Sequence, residues 1–148
     1  MSRKILIATD GSEHARKAIE MAADIAAHQG AEVFLVHVIP KSGIPEDLHR
    51  FIDTEYTEEP AEIVYPELIG HKIMDEAVKE LKGRGVKTVH KEVIQGDPAH
   101  EIVSFAEQNH IETIFIGSRG LGNLKGLLVG SVANKVCHSA TCTCVTVK

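Results

Sequence analysis

No basic excess marks this sequence. Its formal net charge is −5, with acidic and basic residues interspersed, so it lacks the basic face that neutralises phosphates along a nucleic acid. Nucleic acid is therefore not an expected partner. Long apolar runs are missing too. The first, Ile5 to Ala8, is far too short for the core of a secretory signal, and no later stretch approaches membrane-spanning length. The expectation is a cytoplasmic protein with no membrane partner. Cysteine is scarce: Cys137, Cys142 and Cys144 leave one thiol unpaired in any intramolecular scheme and sit in one short stretch. That is no disulfide framework, and it suits a reducing compartment.

What remains is a chain of 148 residues, long enough to bury a core without disulfides or a structural metal. Residues 1–148 are expected to form one domain. Lys4 to Thr9 is a continuous aliphatic and β-branched run ending at Asp10-Gly11, the pattern of a central parallel strand buried on both faces. From Ser12 to Gln29, Ala15, Ala18, Ile19, Ala22, Ile25 and Ala26 recur at helical spacing until Gly30. Ala31 to Ile39 reads as a second buried strand closed by Pro40. Residues 41–60, acidic and punctuated by proline, carry no expected chemistry.

A helix from about Glu62 to Lys82 is marked by Ile69, Ile73, Ala77 and Leu81. Val86 to Ile94 is a strand whose mixed charge fits an edge. Asp97-Pro98 supplies an N-cap acceptor and a first-turn proline for a helix through Asn109. Thr113 to Gly117 is the fourth strand, Gly130-Ser131 opens a helix to about His138, and Cys142 to Val147 is the fifth strand. Strictly alternating elements joined by right-handed crossovers imply an α/β fold: an open, doubly wound parallel sheet of five strands with helices on both faces.

Ligands of such sheets bind outside the carboxyl ends of strands, where the winding reverses. The end of strand four continues with Gly117, Gly120, Gly122, Gly126 and Gly130 between a buried strand and a helix start. Glycine at that density is costly unless backbone must approach something closely, and a phosphate chain is the natural guest. The N–H groups of Gly117, Ser118, Arg119 and Gly120, with those of Gly130, Ser131 and Val132 at the helix start, would supply donors. The bland alternative is a surface loop with Ser131 as an ordinary N-cap. Two familiar phosphate motifs are excluded. A P-loop needs lysine directly after its last glycine, whereas Lys125 precedes Gly126, and a dinucleotide fingerprint belongs after strand one, where only Gly11 stands.

With these residues in view, the chain resembles the universal stress proteins of the ATP-binding branch. Gly117-x-x-Gly120, nine residues, then Gly130-Ser131 matches that branch's nucleotide signature. Further matches are Thr9-Asp10-Gly11-Ser12, Gly96-Asp97-Pro98-Ala99 and Gly130-Ser131-Val132-Ala133, and the likeness runs from Lys4 to the last strand. Thr143 stands where the family commonly has proline. The resemblance implies a Rossmann-like sheet order of 3-2-1-4-5. It also implies an ATP site that includes Thr9, in which Asp10 and the backbone around Val38 face adenine and ribose, and Gly117, Gly120, Gly130, Ser131 and Val132 face the phosphates. Dimerisation and a regulatory role in stress survival, with little catalysis, are implied in the same way.

Competing readings of single residues stay open at this level. Asp10 and Glu13 form a D-x-x-E capping box, so Asp10 is expected to cap the first helix as well as to meet the ribose. Asp97 reads as an N-cap. Arg119 either pairs with phosphate or is a solvated loop arginine. The nine histidines show no metal-ligand spacing and read as ordinary surface or strand residues. Cys142 and Cys144, with His138, offer a soft-metal or redox alternative to a plain core role. Any divalent ion, Mg²⁺ or Mn²⁺, is expected to bind through the phosphates. The rival to a regulatory module is a slow metal-dependent ATP hydrolase or phosphotransferase, for which no dedicated base beyond Asp10 is visible. The apolar last strand, 142–147, lacks a blunting proline and is expected to pair with its copy in a homodimer.

Overall fold

A computed structural model describes residues 2–40, 61–119 and 130–148. The elements run β1 (Lys4–Ala8), α1 (Glu13–Gln29), β2 (Glu32–Ile39), α2 (Ala61–Gly83), β3 (Val89–Gln95), α3 (Pro98–Gln108), β4 (Thr113–Gly117), α4 (Ser131–Ser139) and β5 (Thr143–Val147). The five strands form one sheet in the order β3-β2-β1-β4-β5. Every pairing is parallel. The expected class, element order and strand order are all present.

Alternation along the strands explains why the central ones are continuously apolar. Successive side chains point to opposite faces. Ile5 and Ile7, with Val33, Leu35 and Phe115, pack under the alanines of α1 and under Met74, Ala77 and Leu81 of α2. Leu6 and Ala8, with Val36, Ile114 and Ile116, pack under Ala99, Ile102 and Ala106 of α3 and Ala133 and Val136 of α4. Both faces are covered, so neither phase of the alternation can be polar. Leu6 and Ile7 are fully enclosed, and truncating either to alanine would cost about 2–5 kcal/mol.

Strand β3 starts at Val89 rather than Val86. The Val86 N–H donates to the Leu81 carbonyl (3.1 Å) and the Gly85 N–H to that of Lys82 (3.1 Å), so this stretch still closes α2. Its edge position agrees with the exposed side chains of His90, Lys91 and Glu92. The other edge is β5. Thr143 N–H donates to the Glu112 carbonyl (3.2 Å), and the Val147 carbonyl accepts from Ser118 N–H (2.7 Å). Backbone groups alternate sides along a strand, so residues 143, 145 and 147 face β4, and Cys144 and Thr146 turn their N–H groups to the open edge. Among the described residues, no helix is long and apolar enough to cross a membrane.

Candidate functional site at the strand ends

Strands β1 and β4 are neighbours at the centre of the sheet, and the chain leaves them toward opposite faces, into α1 and toward α4. Ala8 pairs with Val36 on one side and Ile116 on the other. Past the strand end, Thr9 still donates its N–H to the Val36 carbonyl, and His37 reaches the Thr9 carbonyl. This is the switch point of the sheet.

The β1 end is held by short-range polar contacts. Thr9 donates its N–H to the Val36 carbonyl (2.9 Å), and its hydroxyl accepts from Gly11 N–H (3.3 Å). Gly11 sits at φ 81°, which favours glycine. Asp10 Oδ1 accepts from Ser12 N–H (2.9 Å). The helix cap itself is Ser12, whose hydroxyl accepts from Ala15 N–H (3.2 Å). Asp10 is thus not the N-cap that the D-x-x-E spacing suggested. The chain makes a turn on Asp10 first, and the cap falls two residues later, which leaves the carboxylate at the rim.

At the β4 end the glycines and amides have uses the sequence does not display. A Cβ on Gly117 would lie 2.7 Å from Ala15 N and 2.8 Å from His14 C, so the first turn of α1 requires glycine there. Ser118 N–H is taken by Val147, and Gly130 N–H donates to the Ser118 carbonyl. Neither amide is a spare donor, contrary to expectation. Gly130, not Ser131, is the N-cap of α4, with φ −67° and ψ 160°, a conformation open to any residue. Glycine has no side chain to cap with, and helix geometry leaves the N–H groups of Ser131, Val132 and Ala133 without intrahelical acceptors. Ser131 is exposed and Val132 half-buried. Arg119 is half-buried, its carbonyl 3.5 Å from the Ser12 hydroxyl. Gly120 lies outside the described residues, as do Gly122, Lys125, Gly126 and the stretch 41–60.

Two histidines join this site without any sequence signal. His14 Nδ1 is 3.0 Å from the Ser118 hydroxyl, across 104 residues of chain. Buried His37 donates its Nδ1–H to the Thr9 carbonyl (2.8 Å), and a Cβ on Gly70 of α2 would lie 3.0 Å from its ring. Asp97 caps α3 as expected, accepting from His100 N–H (3.0 Å). Among the described residues, no group of three or more histidine, cysteine or carboxylate side chains could hold a metal ion. A cavity of about 210 Å³ bounded by Val103, His110, Thr141 and Cys142 lies at the opposite, amino-terminal edge of the sheet.

Comparison with known proteins matches these features to one family. The family model of the universal stress proteins covers residues 1–148. Universal stress protein YxiE of Bacillus subtilis is 33% identical over 158 aligned positions, spanning 100% of each chain. The solved structure of MJ0577, a universal stress protein of Methanocaldococcus jannaschii, is 32% identical with a TM-score of 0.78, covering 100% of this chain and 96% of that one. An Archaeoglobus fulgidus universal stress protein solved in complex with dAMP shares the fold at 21% identity, TM-score 0.71, over 100% and 98% of the two chains. The chain therefore belongs to the universal stress protein family.

Proposed function

We propose that residues 1–148 form one cytoplasmic domain that binds ATP at the β1/β4 switch point and works as a regulatory module in stress response. The observation that carries the reading is the hydrogen bond from Gly130 N–H to the Ser118 carbonyl. It ties a helix N-terminus without a side-chain cap to the end of a central strand, next to β1 in the sheet. Phosphates would take the first-turn amides of α4 and its dipole, with Arg119 and the Ser131 hydroxyl adding charge and a donor. Asp10 and the backbone at Val38 would take ribose and adenine, with Thr9 shaping the floor. Mg²⁺ or Mn²⁺ would enter on the phosphates, since the protein offers no cluster of ligands of its own among the described residues. The dAMP complex of a family member supports adenine nucleotide as the ligand class.

Hydrolysis would be slow on this reading. One Asp10 oxygen already accepts from Ser12, and His14 is turned onto Ser118, so neither is poised to activate water. The test is to denature purified protein, identify the nucleotide released, and titrate ATP calorimetrically into wild type and Gly130→Val. Loss of ATP binding in a folded Gly130→Val chain is expected; unchanged affinity overturns the site. Because the backbone there suits any residue, the variant acts by filling phosphate space rather than by straining the turn.

The same reading includes a homodimer in which β5 pairs antiparallel with its copy about a twofold axis, closing the open edge. Cys144→Pro or Thr146→Pro removes an outward donor and should give a folded monomer, whereas Val145→Pro breaks the pairing with β4 and should destabilise the fold. Wild type that sediments as a monomer at micromolar concentration with ATP present overturns the dimer.

A further inference from the structure

Seven residues apart in sequence, Cys137 of α4 and Cys144 of β5 meet with their sulfurs 2.9 Å apart. The fold fixes this approach. Ala140 N–H donates to the Val136 carbonyl (2.8 Å), ending α4, and the chain turns straight into β5, where Cys144 is held opposite Ile114. Cys137 is exposed, and Cys144 is half-buried against the apolar layer beneath α3 and α4. The sulfurs stand less than about 1 Å beyond the ~2.05 Å length of a disulfide bond. A metal is not the better occupant, because no three-ligand cluster exists here among the described residues.

We propose that Cys137 and Cys144 are a modification site, a dithiol that a hydroperoxide converts reversibly into an intrachain disulfide linking α4 to β5. Exposed Cys137, as thiolate, attacks the distal peroxide oxygen. The O–O bond breaks, the remainder leaves as alcohol, or water from hydrogen peroxide, and Cys137 becomes a sulfenic acid. The Cys144 sulfur then attacks Sγ of Cys137; the S–S bond forms, the S–O bond breaks, and hydroxide departs as water with the Cys144 proton. The thiols lose two electrons and the peroxide gains them, and an external dithiol returns the pair to the reduced state. Burial first, then the contact with Cys137, pushes the Cys144 thiol up from 9.0 to about 12. It is accordingly the protonated resolving partner, and Cys137 the group that meets oxidant.

The proposal stands apart from nucleotide binding, and its test uses no nucleotide. Reduced full-length protein is treated with a small excess of hydrogen peroxide, then denatured and its free thiols titrated and its mass measured. Wild type should fall from three free thiols to one, lose the mass of two hydrogens, remain a single chain on a non-reducing gel and regain three thiols with dithiothreitol. Cys142→Ser should likewise lose two thiols. Cys137→Ser should lose none, and Cys144→Ser should lose one, held as a sulfenic acid that dimedone traps on Cys137. Retention of all three thiols in wild type, a bridge that needs Cys142, or a cross-link between chains would each overturn the assignment.

Discussion

The two central strands end side by side, yet their ends are built in opposite ways. After β1, the contacts of the turn are mostly local: Asp10 to Ser12, Gly11 to Thr9 and Ser12 to Ala15 span two or three residues each. After β4, the contacts among the described residues are long-range, with Ser118 meeting His14, Val147 and Gly130, and Gly117 packed against the first turn of α1. The first end draws on its own turn, on α1 and on β2, whose Val36 carbonyl and His37 ring hold Thr9. The second exists only when α1, α4 and β5 are all docked.

The sharpest way to break that contrast is at Gly117. A Cβ there meets backbone of α1 at 2.7 and 2.8 Å, and backbone cannot step aside as a flexible side chain would. Gly117→Val should cost about 3 kcal/mol, read as a lowered urea midpoint with unchanged slope. Gly130→Val, at an N-cap φ of −67° that any residue can adopt, should cost only about 1 kcal/mol, the penalty of a poor N-cap residue. Equal losses would mean that Gly130 is also pinned by packing.

Next in size is the cap. Ser12→Ala removes the acceptor of Ala15 N–H and should cost about 1 kcal/mol, and a comparison with Asp10→Ala shows which of the two residues holds the start of α1. Thermal or urea unfolding of the two single variants decides it. If Asp10→Ala proves the more destabilising, the capping box read from the sequence is restored.

That reversal illustrates which features the sequence carries. Elements were legible because the central strands β1, β2 and β4 are apolar on both faces, the edge strands are β-branched between turn signals and each helix keeps one stripe, and Asp97-Pro98 announced α3 because a cap and its helix are adjacent in sequence. The sheet order came from resemblance, since nothing in the strands' own residues distinguishes one right-handed winding from another. The D-x-x-E spacing misled because an aspartate turn and an N-cap use the same residues, and two positions of offset exchange their roles. Gly117 was picked out correctly as a point of close approach, but the body that approaches is α1. His14 and His37 were invisible because their partners, Ser118 and the Thr9 carbonyl, lie 104 and 28 residues away.

The smallest effect concerns the His14 and Ser118 pair, where the two strand ends touch. Ser118 is 1% exposed, so its hydroxyl needs a partner inside the protein, while half-buried His14 can turn to water. His14→Ala should therefore cost about 1 kcal/mol, chiefly by stranding the hydroxyl, and Ser118→Ala much less, because it removes the group that needs satisfying. In the double variant nothing is left unpaired, and its stability should match that of Ser118→Ala alone. The resulting coupling, about 0.5–1 kcal/mol, is large enough for a double-mutant cycle in urea to resolve. Additive losses would show that the histidine supports α1 by packing alone, and the β4 end would then owe nothing to that contact.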